Sequence, residues 1–296
     1  MISVLICSAN DKLLNQVQKN IDETIGITTE IIFYDNKKNK KGICEVYNIL
    51  AAKAKYPFLC FVHEDVLFIT KDWGKKIIDI FSVRSDIGVI GIAGSKYKSA
   101  SYSGWFTGIR EYDCANYIHK HRNGDEKVYL KPQNDSSLEE VVCLDGVFIC
   151  CRKEVWQKVK FDEKNLSGFH FYDMSFTLEA ARVCSVAVTY EIYLLHITKG
   201  GDFGNIWTET AIHYHSLVQH KLPFTKLPAV ARDAEKLIMI TWLDVLKNYK
   251  ISIDNRFKWI VKQRLYSKAD LYYDVLKFLF YTPLRLKYLH NLFNRK

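Results

Sequence analysis

The chain has 296 residues, 48% of them apolar and 14% aromatic, with charged residues at 25%. That is enough apolar material for a full core, and it excludes a disordered or collagen-like chain. The net charge of +9 is uneven: residues 221–296 hold 16 basic and 6 acidic side chains, against 26 and 27 in residues 1–220, so the excess points to an anionic partner of the tail rather than to a nucleic-acid-binding body. No run approaches the ~18 apolar residues of a membrane-spanning helix. The opening MISVLICSANDK has no basic segment and no small-residue cleavage site, so a cytoplasmic location is expected.

Residues 2–7 form a continuous apolar run of strand length, and the polar stretch 11–23 after it reads as a helix. A second strand is expected at 30–34, ending in Asp35 and Asn36, and the run KKNKK at 37–41 reads as a solvated loop. Ile43, Val46, Tyr47, Leu50 and Ala54 recur at helical spacing; Pro57 ends that pattern, and FLCFV at 58–62 is a third strand. A helix at about 73–81 and a strand at 87–92 follow. Strands separated by helices at this spacing predict an α/β fold with a mostly parallel sheet covered on both faces.

Residues 95–140 break the rhythm with Ser, Tyr, Lys, Gly and Asn, and are expected to form a long functional loop. Order returns at 141–151, then a short helix or turn near 154–159, a helix at 171–182 and a last strand at 186–195. From about 229 the pattern is helical, basic and aromatic. Two domains are therefore expected, an α/β body over 1–220 and a basic helical extension over 221–296. The eight cysteines lie mostly inside apolar runs with no CxxC pair and no zinc-site spacing, which reads as reduced, buried thiols.

In open parallel sheets, ligands bind beyond the carboxyl ends of the strands. Those positions hold Ser8 and Asn10 after the first strand, Asp35 after the second, and His63, Glu64 and Asp65 after the third. Carboxylates gathered at such an edge suit a hard divalent cation, Mn²⁺ or Mg²⁺, with positions left for phosphate; capping of the strand in solvent is the alternative. Asp145 and Gly146 interrupt the apolar run VVCLDGVFI, which permits close backbone approach to a ligand or marks a β-bulge. Trp105 and Phe106 either stack on a bound ligand or anchor their own loop.

The stretch 42–66, GICEVYNILAAKAKYPFLCFVHEDV, resembles the corresponding part of bacterial family 2 glycosyltransferases with the GT-A fold. There a helix carrying an Asn precedes an apolar strand and an Asp-x-Asp motif, so Asn48 matches the helix Asn, His63 the first Asp and Asp65 the second. Asp35 matches the acidic residue that contacts the nucleotide. LDGVFICCRKEVW and FDEKNLSGFHFYDMSF are similar to the acceptor-side segment of the family, where a Glu-Asp pair supplies the catalytic base; Asp173 falls on its Asp. His196 is placed like a late His that joins the metal or the diphosphate in some members. The chain departs from the pattern twice, with His63 for the first Asp and Tyr172 for the Glu before Asp173.

The resemblance covers about residues 1–205. It implies a GT-A-like glycosyltransferase, inverting through Asp173, that moves a sugar from a nucleotide-diphosphate sugar, a UDP-sugar by preference, to a hydroxyl of a glycan or lipid-linked acceptor in bacterial surface polysaccharide synthesis. On this reading Ser8, Asn10, Asp35, Asn48, His63, Glu64 and Asp65 bind the donor, Asp65 and His196 the metal, and Trp105, Asp145 and Gly146 the acceptor. A nucleotidyltransferase is expected to show a Gly-rich basic loop after the first strand, which CSANDK lacks; a catalytically weak nucleotide- or glycan-binding protein fits the two departures. The C-terminal alternation of aromatics with Lys and Arg has the composition of an interfacial helix for an anionic membrane surface, which would make the protein peripheral. Packing on the body or in a homo-oligomer is the other reading, and no nucleic acid is expected.

Overall fold

The computed structural model describes residues 1–38, 40–121, 126–130, 136–198 and 203–281. Its first half runs β1 (Ile2–Ser8), α1 (Asp11–Thr24), β2 (Thr29–Asp35), α2 (Ile43–Lys53), β3 (Phe58–His63), β4 (Val66–Phe68), α3 (Trp73–Val83), β5 (Ile87–Gly91), β6 (Ala93–Ser95) and β7 (Tyr97–Lys98). It continues through β8 (Asp113–His121), β9 (Glu126–Leu130), β10 (Leu138–Val141), β11 (Cys143–Leu144), β12 (Phe148–Arg152), α4 (Lys153–Val159), α5 (Tyr172–Ala180), β13 (Ser185–Thr189) and β14 (Leu194–Thr198). The last elements are α6 (Asn205–Val218), β15 (Phe224–Thr225), α7 (Ala234–Leu246), α8 (Ile253–Lys262) and α9 (Tyr272–Phe280).

The main sheet has the order β10-β13-β5-β12-β3-β1-β2. β1 pairs in parallel with β2 and β3, and β5 with β13, while β12 and β10 run antiparallel to their neighbours. Alternation along β3 shows how the sheet is covered. Cys60 and Val62 join a core with Leu14, Val17 and Ile21 of α1 and Trp73, Ile77 and Phe81 of α3. Phe61 turns to the other face, against Tyr47 of α2, Phe161 and Phe176 of α5. Such wholly buried side chains each contribute about 1.5–3 kcal/mol, which is why strands with two covered faces read as unbroken apolar runs. α1 starts where Asn10 caps it, its side chain accepting from the backbone N–H groups of Lys12 and Leu13.

Among the described residues, much of the stretch expected as a loop at 95–140 is instead strand, while 99–112 carry none. β6, β8, β11, β14 and β4 form a second sheet, with β9 paired to β8. These strands are short or polar on one side, so no apolar run announces them. The single strand expected at 186–195 is two: β13 belongs to the main sheet and β14 to the second.

The chain divides into two compact units. One takes residues 1–98, 104–200 and 223–228, and the other 99–103, 201–222 and 229–296. The boundary expected at 220 lies inside the stretch 201–222. The second unit is built on stacked aromatics, with Trp207 of α6 and Trp242 of α7 at 5.1 Å between ring centres and Trp259 of α8 behind them. Within it Glu235 caps the segment 99–101, accepting from the Ser99 hydroxyl and the backbone N–H groups of Ala100 and Ser101.

Candidate active site

The carboxyl ends of β1, β2 and β3 come together because these strands are parallel neighbours in register, Cys7 opposite both Tyr34 and His63. They open on a pocket of about 520 Å³ whose wall includes Lys37, Lys40, Tyr47, His63, Glu64 and Asp65. Pockets of this size hold a nucleotide-sized ligand.

β4 begins immediately after Asp65, and β14 pairs with it so that His196 lies opposite Val66. This brings His196 Nε2 to 3.3 Å from Asp65 Oδ1, while His63 Nδ1 stands 3.9 Å from the same oxygen. One ligand atom from each of His63, Asp65 and His196 lies within 4.8 Å of the others, a grouping that can hold a metal ion. Burial works to raise the Asp65 pKa, but the His196 and His63 imidazoles outweigh it and hold the carboxyl below its ordinary value. Burial also lowers the His63 pKa, against the pull of Asp65. His119 of β8 lies beside His196, ring centres 5.3 Å apart.

Asp173 sits in the first turn of α5, entered through Phe171 at a left-handed φ of 65°. A buried aromatic rarely adopts that conformation; here the reversal brings Tyr172 and Asp173 against the 145–147 turn. Asp173 Oδ2 accepts from the Gly146 backbone N–H at 2.9 Å and Oδ1 from that of Met174 at 2.8 Å. Burial, then the neighbouring Asp145, push its pKa up to about 7, the range in which a carboxylate serves as a general base. Asp145 itself accepts from the Val147 N–H at 2.9 Å. Gly146 cannot carry a side chain, since an added Cβ would stand 2.0 Å from the Tyr172 hydroxyl. Tyr172 lies 2.7 Å from His63 Nε2 through that hydroxyl, so the two departures from the family pattern are hydrogen-bonded to each other.

The other expected residues are placed differently. Glu64 turns toward β1: its Oε2 accepts from the Ser8 hydroxyl at 2.6 Å and from the N–H groups of Ala9 and Asn10 at 3.1 Å each. Ser8, Asn10 and Glu64 thus build the turn beside the pocket, with Ala9 and Glu64 in its wall. Asp35 is exposed and accepts from the Lys37 N–H, a contact that lowers its pKa; Lys37 also reaches Asp11 at 2.6 Å. Asn48 is not among the residues lining the pocket, and its amide is taken up by Trp156, Phe161 and Glu163. Trp105 packs partly buried against the core and edge-on to Phe106.

Four pocket or site residues escape a reading by sequence pattern. Lys37 and Lys40 belong to a run that reads as solvated loop, although its place directly after a strand end is a usable signal. Tyr47 counts as core by its helical spacing, yet it stands in the pocket wall with its hydroxyl buried and without a hydrogen-bond partner among the described residues. Tyr172 has its partner 109 residues away. Cys7 also lines the pocket, but burial pushes its thiol up to about 11, which excludes a thiolate nucleophile at neutral pH.

A mixed sheet of this kind, with a pocket at the carboxyl edge of its parallel leading strands, is the GT-A fold. Residues 3–209 match the model of the glycosyltransferase-like family, and the chain belongs to that family. Among solved structures, GalNAc-T7 with UDP, GalNAc and Mn²⁺ is similar at a TM-score of 0.51 and 11% identity, over 92% of this chain and 58% of that one. The chain thus spans little more than half the length of that neighbour. S. aureus TarS 1–349 is similar at a TM-score of 0.45 and 13% identity, over 82% of this chain and 70% of that one. No curated protein matches the chain significantly.

Proposed function

We propose that this enzyme transfers a sugar from a nucleotide-diphosphate sugar to a hydroxyl of a glycan or lipid-linked acceptor, with inversion, in the building of a bacterial surface polysaccharide. The observation that carries this reading is the His63–Asp65–His196 cluster, of which His63 and Asp65 line the same pocket as Lys37 and Lys40. The donor set of two imidazole nitrogens and one carboxylate oxygen fits Mn²⁺ better than Mg²⁺, which prefers an all-oxygen shell. His63, Asp65 and His196 would hold a divalent cation, which would supply neutralisation of charge on a departing diphosphate.

The remaining chemistry belongs to the chain. Lys37 and Lys40 attract the donor phosphates into the pocket. Asp173 accepts the proton of the acceptor hydroxyl as that oxygen bonds to the anomeric carbon; the bond from that carbon to the diphosphate oxygen breaks, and its electron pair leaves with the nucleotide. A single displacement of this kind inverts the anomeric centre. The Gly146 and Met174 N–H groups keep the carboxylate oriented. A UDP-sugar is the first donor to test, because GalNAc-T7, which shares the fold, was solved with UDP.

A thermal-shift screen of UDP-, GDP-, CMP- and dTDP-sugars with and without Mn²⁺ tests the donor. A nucleotide sugar that binds the native fold raises Tm by mass action, and the shift should need Mn²⁺ and vanish in Asp65→Ala. No shift with any nucleotide sugar sinks the reading.

We also infer a membrane-surface location for the second unit. Among the described residues no helix is long and apolar enough to cross a membrane. α8 nevertheless exposes Ile253, Phe257 and Val261 at helical spacing, and α9 exposes Tyr272, Leu276 and Phe280. Lys258, Lys262, Lys268 and Lys277 stand among them. Aromatic and aliphatic side chains beside cations fit an anionic lipid surface, worth roughly 1 kcal/mol per nearby Lys or Arg. Flotation should recover the protein with anionic but not neutral vesicles, and Phe257→Ser with Val261→Ser should reduce recovery. Equal recovery with both vesicles, or a concentration-dependent dimer lost in that variant, counts against the membrane and for a protein interface.

A further inference from the structure

We propose that Tyr172 is a positioning residue that fixes the tautomer of His63, so that Nδ1 presents its lone pair toward Asp65 and His196. This inference rests on reading those three residues as a cation site. Its basis is a count of protons. The Tyr172 hydroxyl has one proton and two partners, His63 Nε2 at 2.7 Å and the Gly146 carbonyl oxygen at 3.1 Å. A carbonyl oxygen only accepts, so the Tyr172 proton goes to Gly146. The contact with His63 is then donated by the imidazole, which places the ring proton on Nε2. A neutral imidazole protonated there carries its lone pair on Nδ1, and Nδ1 is the nitrogen 3.9 Å from Asp65 Oδ1.

The surroundings hold this arrangement in place. Tyr172 is 4% exposed and packs against Tyr47 and Phe161, so its ring has little freedom. Gly146 has no room for a Cβ beneath the hydroxyl. Outer partners that fix the proton of a metal-binding imidazole typically account for 10–100-fold in metal affinity. Tyr172 therefore acts on the cation through His63, without touching it. Its place where the family pattern has Glu follows: a ligand imidazole in place of the first Asp needs a neighbour that settles which nitrogen is free.

Tyr172→Phe removes the hydroxyl and keeps the ring, so the core stays filled. The metal-free protein, labelled with ¹⁵N in histidine and assigned with His63→Gln, is read by two-bond ¹H–¹⁵N spectra. In wild type His63 should show a protonated Nε2 and an unprotonated Nδ1, and in Tyr172→Phe a mixture or the opposite tautomer. Mn²⁺ titration by electron paramagnetic resonance should give a Kd raised 10–100-fold in Tyr172→Phe. A proton on Nδ1 in wild type overturns the proposal, as does a tautomer that Tyr172→Phe leaves unchanged, or an unchanged Mn²⁺ affinity. If wild type and His196→Ala both fail to bind Mn²⁺, the cation-site reading fails, and the metal-free spectra still decide the role of Tyr172.

Discussion

Asp173 is a carboxyl group held where its charge is disfavoured, and that has a measurable consequence. Its folded pKa, about 7, lies above the ordinary 3.8. A group raised on folding contributes stability that is complete below its unfolded pKa and lost as pH rises through its folded one. Wild type should therefore lose stability between about pH 4 and pH 7 through this residue, and Asp173→Asn should not. Across that window the stability difference should move toward the variant by about 2–4 kcal/mol, read by urea unfolding at a series of pH values; parallel curves would remove the elevated pKa. For the same reason kcat/KM should rise with pH along a limb centred near 7. Asp173 was legible in the sequence as a carboxylate in an aromatic setting. Glu64 shows the limit of that reading. A carboxylate at a strand end looks the same whether it faces ligand or, as here, closes a turn 55 residues earlier in the chain.

At the scale of elements, Asn48 shows how α2 is locked. Its carboxamide donates to the Phe161 carbonyl and to Glu163, and accepts from Trp156 Nε1 and the Phe161 N–H. Asn48→Ala strands several of these groups in a partly buried place and should cost about 2–3 kcal/mol, visible as a lower Tm. A loss of donor affinity with Tm unchanged would return Asn48 to the binding role expected from the family pattern. The elements that were legible are those with both faces covered, such as β1 and β3, where continuous apolar runs leave little ambiguity. The second sheet was not legible, because strands like β8 alternate His, Lys and Tyr with apolar residues and resemble loop in composition. β13 and β14 merged for the opposite reason: only Tyr190 to Tyr193 separate two apolar segments that belong to different sheets.

For the whole molecule, the uneven charge makes a prediction of its own. If the cations of residues 221–296 hold the protein to anionic vesicles, bound protein should fall steeply as salt is raised, since exposed charges are screened beyond roughly 8 Å at physiological ionic strength. The near-neutral remainder adds no attraction to mask that loss. Insensitivity to salt in the flotation assay would leave only the apolar stripes of α8 and α9 as the source of binding.

One peptide group, that of Gly146, carries a further consequence. Its N–H is spent on Asp173 and its carbonyl on the Tyr172 hydroxyl that meets His63. On the proposed mechanism, the group that takes the proton and the site that would steady the departing phosphates are thus gauged from a common fixed point. A shift of this turn displaces both together, so a substitution that moves it should alter the reach of one along with the other.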